Sequence, residues 1–102
     1  MTIRTETKDR ALFIIFDRPK AKNALDIGAY EAATKALREA DESPEIRVAV
    51  LRGAGGVFTA GNDLKDFIDN PPVRLDAPVY EFMRQLVAFR KPLVAAVEGV
   101  AV

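Results

Sequence analysis

Histidine, cysteine and tryptophan are all missing from this chain of 102 residues. Each absence closes a class of chemistry. Without cysteine there is no thiol nucleophile and no disulfide framework. Without histidine a Ser-His-Asp triad cannot form, and neither can any mechanism that needs an imidazole. With neither, an ordinary zinc site has no ligands, and no metal is expected. A charge excess is also missing, since 15 basic side chains balance 15 acidic ones. A dedicated nucleic-acid module has to neutralise phosphates, so no nucleic-acid partner is expected. Long apolar runs are absent too. The longest, Ala11 to Phe16, falls far short of the roughly 20 residues that span a bilayer. Met1 to Arg10 is charged and lacks the apolar stretch of a secretory signal. The expected location is the cytoplasm, with no membrane partner.

What is present is 49% apolar residues at zero formal net charge, a composition that folds rather than stays disordered. The length allows one domain at most. Ala11–Phe16 reads as a strand buried on both faces. Ile3–Thr7 alternates weakly and reads as an edge strand paired with it through a turn at Lys8-Asp9-Arg10. Asp26 can cap a helix from Ile27 to about Ala40. Its apolar face is read from Ile27, Tyr30, Thr34 and Leu37, and Pro44 ends it. Val48–Leu51 is a second buried strand. The order strand, helix, strand implies a parallel pair with a right-handed crossover. A short helix is expected over Asp63–Ile68, broken by Asn70-Pro71-Pro72. An amphipathic helix follows over Ala77–Phe89, its apolar face carrying Val79, Phe82, Met83, Leu86 and Val87. A third strand covers Leu93–Val97, and Glu98-Gly99 reads as a turn. The chain ends on Val100-Ala101-Val102, which looks like the start of something buried. Repeats, low-complexity tracts and linkers are not found.

Few segments carry chemistry on their own. Gly53-Ala54-Gly55-Gly56 invites a phosphate reading, but no Lys-Ser/Thr follows as a P-loop requires. The third glycine of a dinucleotide fingerprint is missing as well. A turn needing positive φ is the simpler reading. Ala60-Gly61-Asn62-Asp63-Leu64-Lys65 is more specific. Small residues lead into a helix start, where backbone N–H groups lack intrahelical partners and can face a developing oxyanion. The alternative is an ordinary helix start with Asp63 favouring the dipole. Arg18–Leu25 leaves a buried strand at its carboxyl end, where open α/β sheets bind ligands. Lys20 and Lys22 there can face an anion, or stand in a solvated, Pro-stiffened loop. Glu98 can act as a base or sit in water as a turn residue. Asp66, Asp69, Glu81 and the pair Asp41-Glu42 read as solvated faces, and nothing places two carboxylates at a common centre.

Four stretches taken together resemble the crotonase superfamily, the enoyl-CoA hydratases and isomerases. They are Arg18–Leu25, Val48–Phe58, Thr59–Lys65 and Lys91–Val102, in the family's order and spacing over almost the whole chain. The resemblance implies a crotonase-like α/β spiral of ββα turns, truncated after about three turns, much as solenoid repeats cover one another. It makes residues 1–102 a partial domain, the amino-terminal part of a longer one. It assigns the first oxyanion donor to the backbone N–H of Asn62, in a place where the family commonly has Ala. Ala60, Asp63 and Leu64 match residues lining the acyl-CoA channel. Lys22, Ala24 and Leu25 match the segment along the pantetheine and adenine of CoA. Family members are more than twice as long, and the second donor, the catalytic glutamates and the trimer-forming helices lie in their later part. Glu98 sits where many members have Asn and is not one of those glutamates. The implied ligand is an acyl-CoA thioester, with no further cofactor because CoA arrives on the substrate. The expected chain is therefore half an oxyanion hole, inactive alone and prone to self-association. A natural short CoA-binding or subunit-interaction module is the alternative.

Overall fold

A computed structural model describes residues 2–102. Ile3–Lys8 (β1) and Ala11–Phe16 (β2) pair antiparallel, with Ile3 opposite Phe16 and Lys8 opposite Ala11. Asp9 and Arg10 alone make the turn, at φ 51° and 67°, which suits the twist of a tight hairpin. Lys8, expected in the turn, extends the strand instead. Ile27–Glu42 (α1) then leads to Val48–Gly53 (β3), which pairs parallel with β2. Leu64–Asp69 (α2) and Pro78–Ala88 (α3) lead to Leu93–Ala96 (β4), parallel to β3. The sheet runs in the order β1-β2-β3-β4, a mixed α/β arrangement with the pairing the sequence implied. No helix among the described residues is long and apolar enough to cross a membrane.

The core lies between one face of this sheet and α1. Ile3, Ile14, Phe16, Ala49 and Leu51 meet Ala29, Ala33, Ala36 and Leu37 there, and Phe82 of α3 joins them. The buried face of α1 therefore turns on alanines rather than on Ile27 and Tyr30, which are half-buried at its edge. Alanine contributes little to an apolar periodicity, yet its small side chain lets the helix approach the sheet closely. Two further expectations are corrected. Only the second half of β2, Ile14 to Phe16, is fully buried, while Ala11–Phe13 are half-buried on both faces of the strand. On α3 only Phe82 is buried, while Met83 and Val87 are 52% and 88% exposed. Val100 and Val102 are exposed as well, although Ala101 forms a bridge with Thr59.

The carboxyl end of α1 is closed by a residue distant in sequence. Lys91 Nζ donates to the carbonyls of Ala40, Ser43 and Ile46 at 2.6, 2.6 and 2.7 Å. An ammonium has three donors, and here each has its own acceptor beside the negative end of the helix dipole. Beside it the Asp41 carboxylate accepts from the Arg90 backbone and guanidinium, so Asp41 is engaged rather than solvated. The strand β4 is thus tied to α1 before it pairs with β3. Lys91→Met keeps the stem and removes the donors. A stability loss of about 2 kcal/mol is expected in urea denaturation.

Candidate functional site

Two loops that leave parallel strands are fastened to each other. After β2 the chain makes a 3-10 turn, Pro19–Ala21, and then takes positive φ at Lys22 and Asn23. After β3 it makes a second such turn, Ala54–Gly56. The Asn23 side chain, fully buried, sits between them. Its Oδ1 accepts from the Arg18 N–H, and its Nδ2 donates to the Ala54 and Val57 carbonyls at 3.0 and 2.7 Å. Its own carbonyl accepts from Thr59 Oγ1 at 2.8 Å. Gly53 is required here, since a Cβ would lie 1.7 Å from the Val57 carbonyl oxygen. The glycine-rich segment is therefore a structural turn, not a phosphate cradle.

Beyond this staple, Lys22–Leu25 and Ala60–Asp63 run side by side. Ala60 N–H donates to the Lys22 carbonyl at 3.0 Å, Leu25 N–H to Gly61 at 2.8 Å, and Asp63 N–H to Leu25 at 2.9 Å. Leu25 and Asn62 form a parallel bridge. In such a bridge the residues flanking Asn62 supply both bonds to Leu25, and Asn62's own peptide groups point to the opposite side. The Asn62 N–H has no acceptor among the described residues. Gly61, at φ 89°, makes the backbone reversal that exposes it. The free donor arises from strand-like pairing, whereas the sequence reading placed it at a helix start. The start of α2 is closed by Asp63, whose Oδ1 accepts from Asp66 N–H at 3.0 Å.

Asn62 borders a cleft of about 240 Å³ between the start of α1, α2 and the start of α3. Leu25, Ile27, Phe67, Pro71, Pro72 and Val79 make its apolar walls. Tyr30, Asp63 and Asp66 are its other polar members beside Asn62 and Asn70. The Tyr30 ring packs on Phe82 with centroids 5.5 Å apart, and its hydroxyl donates to the Asn62 side-chain oxygen. Burial pushes the Tyr30 pKa up, so the hydroxyl stays protonated.

The two cleft aspartates are occupied with structure. Asp63 Oδ2 accepts from the Arg18 guanidinium at 2.6 Å, with Asp26 on the same cation at 3.9 Å. Asp66 Oδ2 accepts from Ile27 N–H at 2.7 Å, and its Oδ1 from Asn70 Nδ2 at 3.1 Å. The solvated reading of Asp66 is thus corrected, and so is the expectation that no carboxylates share a centre, because Arg18 gathers Asp26 and Asp63. Glu81 is likewise bound, by Arg84 and Arg38. No cluster of potential ligands for a metal ion occurs among the described residues.

Of the residues singled out from sequence, Asn62, Asp63 and Leu25 line the cleft together. Ala24 is buried behind them, and Ala60 is held against Lys22. Leu64 is 75% exposed outside the cleft, and Lys20 and Lys22 are exposed on the 3-10 turn and its cap. Glu98 is exposed, and its backbone carbonyl accepts from Phe58 N–H. Tyr30, Asn23 and Arg18 were missed as site-forming residues. A polar Asn directly after Lys22 reads as solvent-facing loop, and only its positive φ with a buried amide shows otherwise.

The Asp66 N–H and then the Arg18 guanidinium hold the Asp63 carboxyl below the usual carboxylate range. Its folded pKa lies below an unfolded value of about 3.9, so its contribution to stability is complete above that pH and is lost as pH falls through the depressed value. In Asp63→Asn the part of acid destabilisation below about pH 4 that belongs to this group disappears. Carbon-detected NMR titration and denaturation at stepped pH check both statements.

Known proteins resemble this chain in sequence and in fold. The enoyl-CoA hydratase/isomerase family model matches residues 6–102. The chain is 35% identical to enoyl-CoA delta isomerase 2 of Homo sapiens over 99% of its length, which is 27% of that protein. It is 37% identical to the enoyl-CoA hydratase EchA19 of Mycobacterium tuberculosis, covering 95% of this chain and 39% of that one. Its fold matches OdaA of Pseudomonas aeruginosa with TM-score 0.92 and 41% identity, over 96% of this chain and 40% of the other. The chain spans between about a quarter and two fifths of these relatives' lengths. With the family model covering nearly every residue and the crotonase fold reproduced over 96% of the chain, the chain belongs to the enoyl-CoA hydratase/isomerase family.

Proposed function

We propose that this chain supplies one half of an acyl-CoA thioester site, in which the Asn62 backbone N–H donates to the thioester oxygen. The observation that carries this reading is that N–H, free of any acceptor among the described residues and held at the rim of an apolar cleft. A fixed donor aimed at an oxygen that gains negative charge stabilises an enolate-like state, and loss of one such donor costs about a hundredfold or more in rate. The apolar walls receive the acyl chain. Lys22, Ala24 and Leu25 flank the path of the CoA portion, and Ala60 and Asp63 shape the channel mouth, while Leu64 faces away from the cleft. The reaction class is hydration or isomerisation of an enoyl-CoA, as in the names of the relatives. No cofactor beyond the CoA on the substrate is required.

Catalysis also needs a proton carrier near its working pH. Asp63 and Asp66 are the cleft's carboxylates, and both are bonded through both oxygens. Asp63 is moreover held in its charged form, which makes it a poor base. The 102 residues alone therefore bind without turnover. In titrations with butyryl-CoA, the Asn62 amide proton should move downfield by more than its neighbours, and crotonyl-CoA should remain unhydrated by the same sample. Binding that leaves the Asn62 amide unmoved would remove the oxyanion reading, and turnover would remove the inactive one.

Self-association is the second part of the proposal. Leu64, Ile68, Val73, Leu75 and Val87 are each 75% or more exposed. Apolar surface of this extent favours contact with a further protein surface. Sedimentation velocity should show species larger than 11.2 kDa that grow with concentration. A monomer at every concentration would contradict it.

A further inference from the structure

We infer that Arg18 is the positioning residue of the Asn62 donor: by clamping Asp63 to the loop after β2, it keeps the Gly61–Asn62 peptide turned with its N–H free. This role rests on the acyl-CoA reading above and adds a residue to that site. The direction of the N–H is set by the peptide it belongs to. In a trans peptide the N–H points opposite to the preceding carbonyl, and no peptide bond among the described residues is cis. The Gly61 carbonyl accepts from Leu25 N–H at 2.8 Å, so the Asn62 N–H is turned away from Leu25. Gly61 stands at φ 89°, and a glycine lets such a plane turn over at little steric cost. A turned plane would put a carbonyl where the donor now stands and break the bond from Leu25. The donor therefore lasts only while Lys22–Leu25 and Ala60–Asp63 stay side by side.

Arg18 joins those two segments through its side chain. Its main chain is fixed at the foot of the first one, where its N–H donates to Asn23 Oδ1 and its carbonyl accepts from Asn23 N–H at 3.0 Å. Its guanidinium reaches the second, donating at 2.6 Å to Oδ2 of Asp63, the residue next to Asn62. Asp63 and Asp26 are the N-caps of α2 and α1, and their other oxygens accept from Asp66 and Ala29 N–H. One cation thus holds the caps of both helices that border the cleft. The Asp63 side chain is only 17% exposed, so this pair is less screened than an ion pair in open solvent. Arg18 acts through Asp63 and the peptide plane, without touching the ligand.

The test reads hydrogen exchange of the Leu25 amide in the ligand-free full chain, because a turned Gly61–Asn62 peptide leaves that N–H without its acceptor. The Leu51 amide, inside the sheet, is the reference for global stability. The ratio of the two exchange rates should rise about tenfold in Arg18→Gln, the loss of one charge-assisted bond. In Arg18→Lys it should rise only about threefold, since an ammonium still donates to Asp63 but as a single point charge. Asp63→Asn keeps the cap on Asp66 N–H and removes the charge, so it should raise the ratio in the same direction, and it decides the matter should Arg18→Gln not fold. With butyryl-CoA at saturation, the downfield displacement of the Asn62 amide proton should shrink in Arg18→Gln, because a donor no longer held makes a longer bond. A native ratio in both Arg18→Gln and Asp63→Asn would overturn the inference, as would a displacement of native size in Arg18→Gln, and either leaves the thioester site standing. A native Asn62 amide that butyryl-CoA does not move would overturn the thioester site and the donor with it, while the exchange ratio still decides whether Arg18 holds the peptide.

Discussion

The Asn23 amide, enclosed between two loops, is the contact on which the site depends. Its oxygen and nitrogen satisfy Arg18, Ala54 and Val57, and its backbone carbonyl receives Thr59. Backbone groups of irregular loops are costly to bury unpaired, and one buried amide here meets three of them. Because the loop after β2 is locked to the loop after β3, Lys22–Leu25 and Ala60–Asp63 are forced into register. The Leu25–Asn62 bridge follows from that register, and the free Asn62 N–H follows from the bridge. A second layer of charge supports the same joint, with Arg18 on Asp63 and Asp26, and Asp66 on the first N–H of α1.

This arrangement separates two roles that sequence runs together. The residues around Asn62 hold the backbone still, and a backbone donor performs the proposed chemistry. Such a site tolerates a varied side chain at the donor position, since the N–H is present whatever follows Cα. In this chain the position holds an amide rather than a methyl group, and Tyr30 lies within reach to orient it.

Much of the fold was legible. The apolar run of β2, the Asp26 cap and the stop at Pro44 stand in the sequence where the structure puts them, because each is decided within a few residues. The faces of the helices were less so. On α1 the alanines carry the packing, and on α3 Met83 and Val87 point away from the core despite their spacing. Periodicity tells which residues share a face, but the area covered depends on what lies opposite.

The candidate site divides the same way. Its motif, from Ala60 to Lys65, is visible in sequence, as are the strand ends that carry it and the α/β order that brings them together. That much is local: short-range backbone preference and the alternation of strand and helix. The free direction of the Asn62 N–H, the aspartates bound by Arg18 and by α1, and the three carbonyls gathered by Lys91 are set by segments 31 to 51 residues apart. Hydrogen-bond partners at that distance are chosen by the packed fold, because desolvated polar groups accept whatever partner tertiary packing brings within reach.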